Sequence, residues 1–148
     1  MRHLSAAIAI LTLFSAPSRA QKWLAAQAGI SHSPVGVLLD IPDFHLTWKT
    51  PISLALDGAV GICWGNGVYD SADADLSYEV LRNHTTTFAP RVGLSSMIHN
   101  DRTAQNGINA GIALRHHRSH DTFRVDVIYR RLGGHAWVTL VAGSEWKL

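Results

Sequence analysis

Beyond residue 20 the chain alternates between hydrophobic and polar positions with a period of two. The clearest stretch is 52–64. Ile52, Leu54, Leu56, Val60, Ile62 and Trp64 fall on one side, with Gly58 among them, and Ser53, Ala55, Asp57, Ala59, Gly61 and Cys63 fall on the other. Successive strand side chains point to opposite faces, so this pattern predicts a strand with one large apolar face and one small or polar face. The same split recurs at 88–98, where Phe88, Val92, Leu94 and Ile98 oppose Ala89, Arg91, Gly93 and Met97. At 108–115, Ile108, Ala110, Ile112 and Leu114 oppose Asn109, Gly111, Ala113 and Arg115. At 123–130, Phe123, Val125, Val127 and Tyr129 oppose Arg124, Asp126, Ile128 and Arg130. A less clean alternation closes the chain, with Val138, Leu140 and Trp146 against Trp137, Thr139, Val141 and Glu145. Val35, Val37, Leu39 and Ile41 against Gly36, Leu38 and Asp40 give a weaker signal, as does the stretch from Leu76 to Asn83.

These segments predict eight strands, at about 22–30, 34–41, 51–64, 75–84, 86–98, 107–117, 121–131 and 136–147. Turn residues punctuate them. Gly65, Asn66 and Gly67 are expected to open a longer loop running to Asp75, a second loop is expected over 99–106, and Gly133 and Gly134 predict a tight hairpin. The fold class is therefore all-β: a closed antiparallel up-and-down barrel of about eight strands. A soluble periplasmic β-barrel or sandwich that binds a ligand is the competing reading, since it alternates in the same way.

The polar face decides between them. It carries Asp57, Arg91, Arg115, Arg124, Asp126, Arg130 and Glu145 in mid-strand, among many Gly, Ala and Ser residues. On a water-facing sheet, lysine and long polar side chains would be usual, yet the chain has three lysines and ten arginines. The planar guanidinium fork suits enclosed ion pairs. These seven residues are expected to form a lumenal charge network. An eight-stranded barrel is just wide enough for side chains to fill, so the network is expected to hold the barrel in register rather than to line a channel. Trp23, Trp64, Trp137 and Trp146, with Phe88 and Tyr129, lie near strand ends, where aromatic girdles form in membrane barrels.

The first twenty residues differ from the rest. Arg2 and His3 precede an apolar run over 6–14, and Ser18 and Ala20 stand before Gln21. This is the layout of a secretory signal peptide, expected at 1–20, with the barrel domain at 21–148. The apolar run is shorter than the ~20 residues a helix needs to span a bilayer. Without Arg2 and Arg19 the 13 basic side chains fall to 11, which matches the 11 acidic ones. No basic stripe remains for nucleic acid. One cysteine, Cys63, leaves no internal disulfide and is expected to be a packed or lumenal thiol.

The segments FAPRVGLSSMIH, NGINAGIALRHH, DTFRVDVIYRRLGG and HAWVTLVAGSEWKL resemble the C-terminal half of small outer-membrane β-barrel domains, the OmpA/OmpX-like and opacity-protein class. Asn109, Ala110, Gly111, Leu114 and Arg115 match one strand motif, and Tyr129 with Arg130 another. The resemblance covers 88–148 well and 51–64 loosely. Residues 21–50 are expected to be shorter and less regular than a full first hairpin. The resemblance implies an outer-membrane protein with a structural or interaction role, no catalysis and no cofactor. Its implied partners are outer-membrane lipid and protein or surface partners through the loops at 65–75 and 99–106. An even strand count puts both termini on the periplasmic side and these loops outside.

Catalytic signals are weak. His117 and Ser119 have the His-x-Ser spacing of outer-membrane lipid deacylases, so a lipid-modifying barrel hydrolase is the enzymatic alternative. Arg131 stands where that family needs a carboxylate. His116, His117 and His120 share one predicted turn, where histidines are usually solvated rather than bound to metal. Asn83-His84-Thr85 is a glycosylation sequon that a bacterial setting leaves silent.

Overall fold

The computed structural model describes residues 21–148 apart from 35 and 102. The expected signal peptide at 1–20, and Val35, lie outside the described residues. The strands are β1 (Gln21–Ser33), β2 (Gly36–Lys49), β3 (Leu54–Gly65), β4 (Gly67–Tyr78), β5 (Leu81–Arg82), β6 (Thr86–His99), β7 (Ala104–His117), β8 (Thr122–Leu132) and β9 (His135–Lys147). β5 is a two-residue piece that pairs only with β6. The other strands form an eight-membered antiparallel ring in up-and-down order. β4 pairs with β6 across the β5 excursion, and β1 pairs with β9 to close the ring. Closure leaves no unpaired sheet edge, which is what a sheet in hydrocarbon requires.

The alternation read from the sequence becomes inside and outside. Val92, Leu94, Ile108, Leu114, Val127, Tyr129, Val138 and Leu140 are exposed on the outer wall. Arg91, Arg115, Arg124, Asp126, Arg130 and Glu145 are enclosed. A soluble sandwich or a lipocalin-like binder would bury the apolar row instead, so that alternative is set aside.

Three segments differ from the sequence expectation. Residues 21–50 form a full hairpin, because β2 runs on to Lys49 through a bulge. Asp40 and Asp43 of β2 pair with Cys63 and Gly61 of β3, so one extra residue is accommodated at Ile41 and Pro42. A proline without an N–H belongs at such a bulge rather than in an unbroken ladder. The bulge keeps Asp40 and Asp43 both buried while Ile41 and Pro42 face outward. The Trp64 indole N–H donates to the Ile41 carbonyl at 2.9 Å on the outer side.

The second difference is the expected loop at 65–75. Gly65 pairs with Gly67 around Asn66, and β4 begins at once. The loop expected at 99–106 shrinks likewise to a turn between His99 and Ala104, with the Thr103 N–H donating to Asp101 at 2.8 Å. Third, β3 starts at Leu54, which leaves Ile52 in the preceding turn, exposed. The hairpin at Gly133 and Gly134 is as expected, and both glycines take positive φ, 54° and 86°.

The ends of the strands define two rims. Gln21, Leu148 and the connections 50–53, 79–85 and 118–121 lie at one rim. The short turns after β1, β3, β6 and β8 lie at the other, called here the far rim.

Candidate functional site

The lumen is stratified. Just inside the far rim an apolar cluster packs Leu38, Cys63, Tyr69, Met97, Leu132 and Trp137. Each sits within a few residues of a strand end at that rim. The Tyr69 and Trp137 rings meet edge-on at 5.7 Å, and Tyr69 also lies 4.6 Å from the His99 ring. Cys63 is fully buried in this plug.

Below the plug, Arg130 grips Asp73 with two nitrogens, at 2.6 and 3.2 Å, and donates its third to Thr139. Ser95 donates to the same carboxylate and accepts from Asn109 at 2.8 Å. Ser31 links Asp40, at 3.3 Å, to Thr139, at 2.6 Å.

The middle of the barrel is organised by Arg124. Its Nε donates to Asp126 at 2.7 Å, its Nη1 to Glu145 at 3.2 Å and Thr47 at 3.1 Å, and its Nη2 to Asp57. Arg91 joins Asp126, at 2.9 Å, to Asp75. Arg115 binds Glu145 at 3.0 Å. His45 stands 3.1 Å from Asp43 and 3.5 Å from Asp57. Gln27 donates to Asp126 at 2.8 Å. Multidentate arginine contacts of this kind fix geometry as well as charge. Gly93 makes room for one of them. A Cβ there would lie 2.1 Å from an Asp75 carboxylate oxygen and 2.2 Å from the Ala74 carbonyl.

At the terminus-side mouth the lumen opens into a cavity of about 510 Å³, lined by Gln21, Trp23, Lys49, Glu79, Arg82, Asn83, His84, Thr87 and His117 among others. Lys49 lies 4.4 Å over the Trp23 ring and reaches Glu79 at 3.6 Å and Glu145 at 3.8 Å.

Of the residues expected in the network, Asp57, Arg91, Arg115, Arg124, Asp126 and Glu145 come together in one connected group. Arg130 stands apart from it and pairs with Asp73 instead. Asp73 and Asp75 of β4 fall in the stretch 65–75 expected as a loop, and Asp43 and His45 of β2 fall beyond the expected strand end at 41. Both pairs lie on the inward parity once the strands are extended.

The aromatic girdle differs too. Trp64 and Trp146 are exposed on the outer wall, but Trp23 and Trp137 point into the lumen. Strand-end position alone does not reveal which way a ring points; parity does. The outer aromatic residues at the terminus-side rim are Trp48, Tyr78, Phe88, Phe123 and Trp146.

His117 and Ser119 form no catalytic pair. Both ring nitrogens of His117 face threonines, Thr87 at 2.8 Å and Thr122 at 3.1 Å, while Ser119 is exposed in the following turn. His116 and His120 are exposed, and among the described residues no group of three or more His, Cys, Asp or Glu is placed to hold a metal ion.

No family model and no curated protein sequence matches the chain. Solved structures do. The N-terminal β-barrel domain of OprF from Pseudomonas aeruginosa superposes with a TM-score of 0.63 at 13% identity, over 86% of this chain and 99% of that one. Neisserial surface protein A gives 0.59 at 13% identity, over 88% and 98%. The attachment invasion locus protein Ail of Yersinia pestis, in complex with the heparin analogue sucrose octasulfate, gives 0.60 at 7% identity, over 87% and 97%. The fold is therefore that of the small eight-stranded outer-membrane barrels.

Proposed function

We propose that this chain is exported and inserted into the outer membrane, where it is a closed barrel with a structural or interaction role rather than a catalytic or conducting one. The observation that carries this reading is the wall. Large apolar side chains are exposed around the whole ring while arginines and carboxylates are enclosed within it. In water such a surface is an aggregation hazard; in hydrocarbon it is the stable arrangement. The outer aromatic residues at the terminus-side rim suit a membrane–water interface.

In this reading both termini face the periplasm, and membrane lipid is the principal partner. The turns at the far rim face outward, and any surface partner meets short turns there rather than long loops. The lumenal ion pairs act as a register-fixing plug. The test is fractionation of the tagged full chain. The expected result is recovery in the outer-membrane fraction, detergent-dependent extraction, and gel mobility that changes on heating. A chain that stays in the aqueous periplasmic extract would overturn the reading. Silence in planar-bilayer recordings is the expected result for the closed lumen.

A further inference from the structure

The bulge in β2 brings two acids together inside the barrel. Asp40 and Asp43 are separated by two residues that face outward, yet they take successive inward places on the ladder, opposite Cys63 and Gly61 of β3. A regular strand would send them to opposite faces, and bulges re-aim side chains in this way.

Gly61 leaves the space between them open. A Cβ there would lie 3.0 Å from Ser71 Oγ, 3.1 Å from Asp40 Oδ1 and 3.1 Å from Asp43 Oδ1. Ser71 reaches this point from β4, where it pairs with Gly61. Three oxygens from two strands thus converge over a residue with no side chain. Asp40 is only 1% exposed, and its Oδ1 has no hydrogen-bond partner. Its other oxygen accepts from Ser31 at 3.3 Å, and Asp43 has His45 at 3.1 Å. Arg130 directs its nitrogens to Asp73 and Thr139 instead.

The lumen as a whole is short of positive charge. Among the described residues, seven carboxylates are buried against four arginines and one histidine. Lys49 and Glu79 at the mouth offset each other. Even with His45 charged, an excess of two negative charges remains, and unmatched charge is strongly disfavoured away from water.

We propose that one calcium ion binds between Asp40 and Asp43 over Gly61, with Ser71 as a third oxygen ligand. The site uses two carboxylates and a hydroxyl, not three side chains of His, Cys, Asp or Glu. Its donors are all oxygen, which suits a hard cation, and a double charge matches the excess. Calcium accepts irregular geometry and carboxylates that bind through one oxygen or both, whereas magnesium tends to keep several waters, which so enclosed a place disfavours. This goes beyond the structural role above, because it couples the stability of the barrel to a metal.

The test is to refold the full chain in dodecyl maltoside with calcium chloride, desalt it, and count metal per chain by mass spectrometry, with folding checked by heat-modifiable mobility. The expected result is one calcium per folded barrel, and a urea midpoint that falls in EDTA. Gly61→Ala puts a methyl where the oxygens converge and is expected to weaken calcium binding at least tenfold. Asp40→Asn removes one ligand charge. It is expected to lose the calcium, to have the same urea midpoint with and without EDTA, and in EDTA to outlast the wild type. A folded wild type that retains no calcium overturns the proposal, and so does wild-type retention in the folded variants.

Discussion

The two ends of the lumen are closed in different ways. At the far rim Leu38, Tyr69, Met97, Leu132 and Trp137 exclude water by packing. Toward the termini Arg124, Arg91 and Arg115 fill the same bore with ion pairs that open into a wet mouth. An apolar plug is tolerant of small rearrangements, because any side chain of similar size fills the space. A buried ion-pair network is not, because removing one member strands the others in low dielectric. The plug therefore serves closure and the network serves register. A strand slipped by one residue would turn its arginines to the outer face of the ring.

The sharpest way to break this contrast is at Arg124. Arg124→Met leaves Asp57, Asp126 and Glu145 short of a counter-charge, and the expected loss is about 3–5 kcal/mol, read from urea titration of heat-modifiable mobility. A wild-type midpoint would mean the network does not specify the barrel. At the plug, Leu132→Ala is expected to cost about 2–4 kcal/mol through the cavity it leaves. The lumen should stay electrically silent, because the charged layer beneath remains; a conducting variant would assign closure to the plug alone. On the wall, Val92→Arg at mid-strand is expected to cost ~2–4 kcal/mol in a bilayer, and far less if that face meets water. The smallest effect is expected at the far-rim turn. Asp101→Asn should stay within about 0.5 kcal/mol of wild type in the same titration, which marks the floor against which the others are judged.

The residues themselves explain what was legible in advance. β6, β7 and β8 carry bulky apolar residues on one parity and charges on the other, so their faces could be read directly. β4 could not. Its outward parity is Val68, Asp70, Ala72, Ala74, Leu76 and Tyr78, too small and too polar in its first half to look apolar against Ser71 and Asp73. β2 reads short in the sequence because Pro42 interrupts the period-two pattern and the bulge shifts every residue after it by one position. The partners of a lumenal charge depend on register across the bore, which local alternation does not encode. Arg130 meets Asp73 rather than the neighbouring carboxylates for that reason.

The ring is finally shut by its first and last strands. β1 meets β9 along a register running from Trp23 with Lys147 to His32 with Val138. Every other seam joins stretches that are near neighbours in the chain, so those hairpins can form as the chain extends. The last seam waits for the whole polypeptide. Until the final strand arrives, β1 lacks its β9 partner, and a chain stopped before residue 135 would be left with two open edges and a charge network without Glu145. The ring is therefore complete only once β9 has paired with β1.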